Sequence, residues 1–221
     1  MYFVSELETA FQQNASTETA GPMEAYMKNN FPFFGIKTNQ RREILKELWK
    51  IHKEEVNQKA RTTGWELFSK KEREFHYCSI EILIKELKKN YVKEDIQLIE
   101  KMITTHSWWD SVDIIAKYLL GNYFIQFPEE TKKVISKFSN SDNMWLNRSA
   151  ILFQLDYKDK TDAQLLFSLS EQHKDSKEFF IQKAIGWALR DYSRFNPKGV
   201  MDFVMKTNLK PLSKREALRN L

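Results

Sequence analysis

Residues 107–120, SWWDSVDIIAKYLL, decide the fold. Trp108, Val112, Ile115 and Leu119 recur at i, i+4, i+7 and i+11, one buried ridge of an amphipathic helix. Ser107 followed three residues later by Asp110 predicts a capping box, in which each side chain takes a free backbone N–H of the first turn. The ridge returns twice. Leu146, Ala150, Phe153 and Tyr157 form it in DNMWLNRSAILFQLDY (142–157), and Ile181, Ile185, Ala188 and Tyr192 in SKEFFIQKAIGWALRDY (176–192). Helix starts are also predicted at Thr38, Ser69, Asp142, Ser176 and Ser213, with Ser69–Glu72 and Ser213–Glu216 as further capping boxes. Together with Ser107, successive starts lie 31, 38, 35, 34 and 37 residues apart.

Partner helices are expected between them, near 22–30, 55–68, 94–105, 128–139, 161–172 and 197–207. Pro128 and Pro197 fall at or near first helical positions, where a missing N–H costs nothing. Two helices per period in the mid-thirties is the pattern of a helical-repeat solenoid. The expected fold is all-α: a curved solenoid of about six antiparallel helix pairs (HEAT-like repeats), an alpha-alpha superhelix forming a single domain over 1–221. The second helix of each pair lines the concave side, the surface on which such folds bind.

Composition agrees. The 221 residues are 42% hydrophobic and 29% charged, as in a soluble globular protein. Six Gly and five Pro are few, which disfavours a turn-rich all-β fold. Cys78 is the lone cysteine, so no internal disulfide is expected, and its apolar helical setting reads as an inert core thiol in a reducing compartment. The opening MYFVSELETAFQQ is acidic and amphipathic, unlike a signal peptide, and no stretch reaches about 18 apolar residues. The expectation is a cytoplasmic protein with no membrane segment. A net charge of +5 and a pI near 9.1 admit a polyanionic partner. Phosphate-binding glycine motifs, H-E-x-x-H, Cys pairs and G-x-S-x-G are missing, and His52, His76, His106 and His173 are scattered. No metal and no cofactor is therefore expected.

Some residues stand off the ridge. Trp109 and Asp113, four apart, share a helix face rotated about 100–140° from it. Asp113, Arg148 and Lys183 are each 35 residues apart, hence at equivalent places in successive repeats. Stacking predicts a row of carboxylate, guanidinium and ammonium, with the indoles of Trp109 and Trp187 beside it. Plainer alternatives stand next to this cleft. Trp109 can be core of a neighbouring pair, and Asp113 a surface acid pairing with Lys117. Arg148 can be a solvated helix residue, and Trp187 part of a second stripe with Phe180 and Ala184. The residues alone stop at a helical-repeat protein that binds an anion.

SWWDSVD, SDNMWLNRSAILFQL, SKEFFIQKAIGWALRDY, PLSKREAL and PMEAYMKNNFPFFGIKTNQRREILKEL together resemble the AlkD family of DNA alkylation-repair glycosylases, over essentially the whole chain. The resemblance implies HEAT-like repeats and excision of cationic alkylated purines, N7-methylguanine and N3-methyladenine, from duplex DNA without flipping the base into a pocket. It implies catalytic roles for Asp113, Trp109 and Trp187, and a DNA-backbone contact for Arg148. Arg190, Tyr26, Phe179, Phe180 and Lys183 join Arg148 as DNA-binding candidates, Tyr26 lying in an N-terminal helix that inactive relatives lack. It further implies double-stranded DNA containing alkylated purines as partner; no membrane and a monomer are expected, and no lysine stands out as a Schiff-base nucleophile. Asn39 departs from the proline frequent in the family, and the last helix is short. An off-ridge Asp113 carries no core contact, so Asp113→Asn is expected to leave folding nearly unchanged. The alternative function is a non-catalytic helical-repeat module binding DNA structures or a peptide on its concave face; a third is a scaffold without nucleic-acid contact.

Overall fold

Amphipathic ridges in the mid-thirties period become helix pairs. The computed structural model describes residues 2–221, and among these there is no strand. The chain packs as two compact units, Met1–Val92 and Lys93–Leu221. The fold is an all-α solenoid of repeated helix hairpins, of the HEAT-like kind.

The first unit holds α1 (Tyr2–Gln13), α2 (Thr17–Tyr26), α3 (Thr38–Ile51), α4 (Lys53–Gln58), α5 (Ala60–Phe68) and α6 (Arg73–Leu87). Helix α1 buries Phe3, Val4, Leu7 and Phe11 against Leu45, Val56, Leu67, Phe75 and Ile82. The expected helix pairs do not include this amphipathic opening. Helix α2 starts earlier than the 22–30 expected, and it ends earlier because Lys28 and Asn29 turn left-handed at φ 57° and 58°. Glu74, fully buried, accepts the backbone N–H groups of Phe34, Gly35 and Ile36 at 3.2, 2.9 and 3.1 Å and so fixes the entry to α3. Cys78 is also fully buried, 3.5 Å from an Arg41 nitrogen, and burial pushes its thiol up to about 12.

The second unit contains α7 (Asp95–Thr104), α8 (Trp109–Ile114), α9 (Gly121–Gln126), α10 (Thr131–Ser139), α11 (Met144–Leu152), α12 (Ala163–Gln172), α13 (Phe179–Ser193), α14 (Pro197–Lys206) and α15 (Pro211–Ala217). The second helices α8, α11, α13 and α15 pack side by side in chain order. The ridges hold: Val112, Ile115, Leu119, Leu146, Ala150, Phe153, Ile181, Ile185 and Ala188 are all buried. Pro128, Pro197 and Pro211 each open a helical segment.

The serine capping boxes are corrected. Ser107 donates its hydroxyl back to the Ile103 carbonyl at 2.6 Å, and Ser69 likewise to Trp65 at 2.7 Å. Each serine closes the preceding helix instead of opening the next. Ser213 is buried inside α15 and donates across to the Gln182 carbonyl of α13 at 3.0 Å. Side-chain caps come from Asn143, Asp162 and Asn196, whose carboxyl or amide oxygens accept first-turn N–H groups as capping requires.

No pattern in the sequence marks the π-helical turn at Ile115–Leu120, which joins α8 to α9. Such turns insert one residue and shift the register of the helix beyond them. Gly121 comes so close to the next repeat that a Cβ there would lie 2.7 Å from the Phe153 carbonyl oxygen. Tyr157 donates its hydroxyl to the Gly121 carbonyl at 2.5 Å.

Candidate active site

Asp113 sits in the second turn of α8 and Arg148 in the middle of α11, 35 residues on, so the repeat lays one beside the other. The Arg148 Nε donates to one Asp113 carboxylate oxygen at 2.7 Å and a terminal nitrogen to the other at 2.9 Å. The remaining terminal nitrogen donates to the Phe180 carbonyl at the start of α13. Side-chain exposures are 5% for Arg148 and 12% for Asp113. Arg148 is therefore neither solvated nor free to rotate. Burial pushes the Asp113 carboxyl above its ordinary value, opposed by the Arg148 guanidinium, which favours the ionised form.

The third member of the expected row, Lys183, has its own partner. Lys183 pairs with Glu216 of α15 at 3.0 Å, and Arg190 reaches the same carboxylate at 2.7 Å. Those two hydrogen bonds hold Glu216 below the usual carboxylate range. Lys183 and Arg190, two of the three cations named as DNA-binding candidates, thus each pair with α15. Lys117 pairs with Asp156 at 2.5 Å, which removes the Asp113–Lys117 alternative.

Of the indoles, Trp109 is half-buried one turn before Asp113 on the same helix. Trp187 is half-buried two turns after Phe180 and packs on the core around Ile181, Ala184 and Ile185. Phe179 is 58% exposed. Tyr26, 66% exposed, ends α2 in the other unit.

Sequence reasoning misses an aromatic cluster. Phe180 lies 5.3 Å from Trp108 and 5.0 Å from Trp145, ring to ring, and those tryptophans are 5.9 Å apart. Arg148 stands 5.8 Å from the Phe180 centroid, so these rings back the ion pair. Trp108, a ridge residue in the sequence, is half-buried, and its buried indole N–H has no hydrogen-bond partner among the described residues. The available signal is an aromatic residue on or next to the ridge in three successive second helices. Among the described residues no group of three His, Cys, Asp or Glu could hold a metal ion, and no helix is long and apolar enough to cross a membrane.

The sequence model of a family described as "DNA alkylation repair enzyme" matches residues 7–221. The chain belongs to that family. A solved Enterococcus faecalis structure, described as a predicted DNA alkylation repair enzyme, is 33% identical. The match covers 94% of this chain and 96% of that one at a TM-score of 0.85. A Streptococcus mutans UA159 structure, 15% identical with a TM-score of 0.58, covers 82% of this chain and 99% of its own, and shares the fold. No curated protein matches. For a DNA alkylation repair family member, the ion pair between α8 and α11 is the chemically distinctive feature. It holds an acid in a fixed orientation, with the Phe180 ring beside its guanidinium partner.

Proposed function

We propose that this chain is a monofunctional DNA glycosylase that hydrolyses the N-glycosidic bond of cationic alkylated purines, N7-methylguanine and N3-methyladenine, in duplex DNA without flipping the base into a pocket. Family membership supports the DNA-repair setting. The observation that carries the chemistry is the Asp113 carboxylate, 12% exposed and gripped at both oxygens by Arg148.

An alkylated purine already bears positive charge, so it departs without needing a strong acid. Positive charge then builds on the deoxyribose, as in sugar hydrolysis generally. A carboxylate about 4 Å away, at an effective dielectric of about 20, attracts that charge by roughly 4 kcal/mol. Arg148 returns part of this by its own repulsion, so about 10²-fold in rate is the reasonable share for Asp113. In exchange it fixes the orientation of the acid, and fixed charges need no reorganisation during reaction. A carboxylate so held can also orient the attacking water. Trp109 and Trp187 would offer π faces to the sugar cation and exclude solvent. Of five guanidinium N–H groups, Arg148 uses three internally, which leaves two for a phosphate.

One observation favours a second reading, a non-catalytic DNA-binding module: both Asp113 oxygens are already engaged. Base release discriminates. Incubation with methylated duplex DNA, followed by chromatography of free bases, should show N7-methylguanine above the spontaneous rate, with abasic sites and no strand scission. Release at only the spontaneous rate overturns the glycosylase reading.

A further inference from the structure

In the N-terminal unit, α3, α4 and α6 enclose an open groove of about 400 Å³ to which the excision chemistry assigns no role. Arg42, Lys46, Lys50, Lys53 and Lys85 line it, and Trp49 and Leu45 form its floor. Against five cations stand two acids, Glu81 and Glu86, a formal balance of 5 − 2 = +3. Both acids are already engaged. Glu81 takes Arg41 at 2.7 Å and Arg42 at 3.0 Å, and Glu86 accepts from Asn57. Lys46, Lys50 and Lys53 are exposed, and among the described residues none is ion-paired. Lys85 rests over the Trp49 ring, 4.4 Å from its centroid.

We infer that this groove is a docking surface for the sugar-phosphate backbone of duplex DNA, separate from the residues that act on the glycosidic bond. The spacing carries the assignment. Residues 42, 46 and 50 follow one stripe of α3 about 12 Å long at 1.5 Å per residue, and Lys53 opens α4 just beyond its end. One strand of B-DNA carries a phosphate about every 3.4 Å of its axis, so the stripe passes several. Lysines act as mobile point charges, suited to a chain of phosphates more than to bidentate capture of a single carboxylate. The apolar floor suits the deoxyribose faces between phosphates. The identity of the polyanion rests on the DNA-repair reading; the groove itself does not rest on Asp113.

The test compares the full-length protein with Lys46→Gln/Lys50→Gln/Lys53→Gln, binding an unmodified duplex over a salt series. The slope of log affinity against log salt should become shallower by about 2 to 3, roughly one for each phosphate no longer neutralised. Single-turnover excision at saturating protein should be unchanged. A control with the same charge loss, Lys132→Gln/Lys133→Gln/Lys206→Gln, should leave the slope near wild type. An unchanged slope in the groove variant overturns the inference, as does an equal change in the control. Loss of binding to phosphatidylserine vesicles with the DNA slope intact also overturns it and assigns the groove to a membrane surface. If wild type excises nothing yet the groove variant shows a shallower slope, the groove stands and the glycosylase reading falls. Normal excision with an unchanged slope removes the groove alone.

Discussion

Asp113 shows how far a single residue can be read from sequence. Its spacing from Arg148 identifies equivalent positions in adjacent repeats, and opposite charges at equivalent positions pair. What spacing does not disclose is burial, which depends on Trp108, Trp145 and Phe180 closing round the pair. The expectation that Asp113→Asn leaves folding nearly unchanged is therefore corrected. The substitution strands a guanidinium that is 5% exposed. Removing one partner of a buried pair costs about 3–5 kcal/mol, and the surviving amide oxygen, still an acceptor, points to the lower end. Asp113→Asn should thus lower stability by about 3 kcal/mol and slow excision by about 10²-fold per folded molecule. Denaturant titration and single-turnover base release on one preparation check both. Excision at the wild-type rate would take Asp113 out of the mechanism.

At the scale of elements, ridges and prolines locate the second-unit helices well, because burial and backbone chemistry act locally. The capping serines mislead because a hydroxyl at a helix junction can serve either helix, and Ser69 and Ser107 serve the one before. The π turn leaves no trace in the pattern, since adjacent apolar pairs, Ile115 with Ala116 and Leu119 with Leu120, stay buried across the register shift. The pairing of Lys183 and Arg190 with Glu216 is not legible in the sequence, because Glu216 lies on a short final helix whose packing only the structure reveals. That packing depends on Gly186. A Cβ there would lie 2.4 Å from the Glu216 Cβ and 2.9 Å from the Ser213 carbonyl oxygen. Gly186→Ala should push α15 from α13 and cost about 1–3 kcal/mol, as overpacking usually does. A melting temperature equal to wild type would show that the two helices separate freely.

For the molecule as a whole, period and composition are enough for the all-α class, whereas the division at Val92 and Lys93 is not marked by any linker-like composition. Acid should weaken the fold in two stages. His173 is half-buried with its Nε2 2.9 Å from the Ser139 hydroxyl, and burial lowers its pKa. The unfolded chain then binds the proton more readily, so stability declines as pH falls below about 6.5. Glu216, held low by Arg190 and Lys183, adds stability above about pH 4.3 that is lost as pH falls through its depressed value. Melting temperature measured from pH 8 to 3 should show both declines, and His173→Gln should abolish the first. A single decline below about pH 4 in wild type would contradict the histidine assignment.

Cys78 has a meaning that folding energetics do not express. Agents that methylate guanine N7 are electrophiles, and the softest nucleophile a protein offers them is a thiolate. With burial complete and the thiol pushed well up, Cys78 stays protonated at neutral pH and out of contact with solvent. The chain carries no other cysteine. A repair protein made this way can work amid the chemistry that damages its substrate while its own thiol stays out of reach of the same reagents.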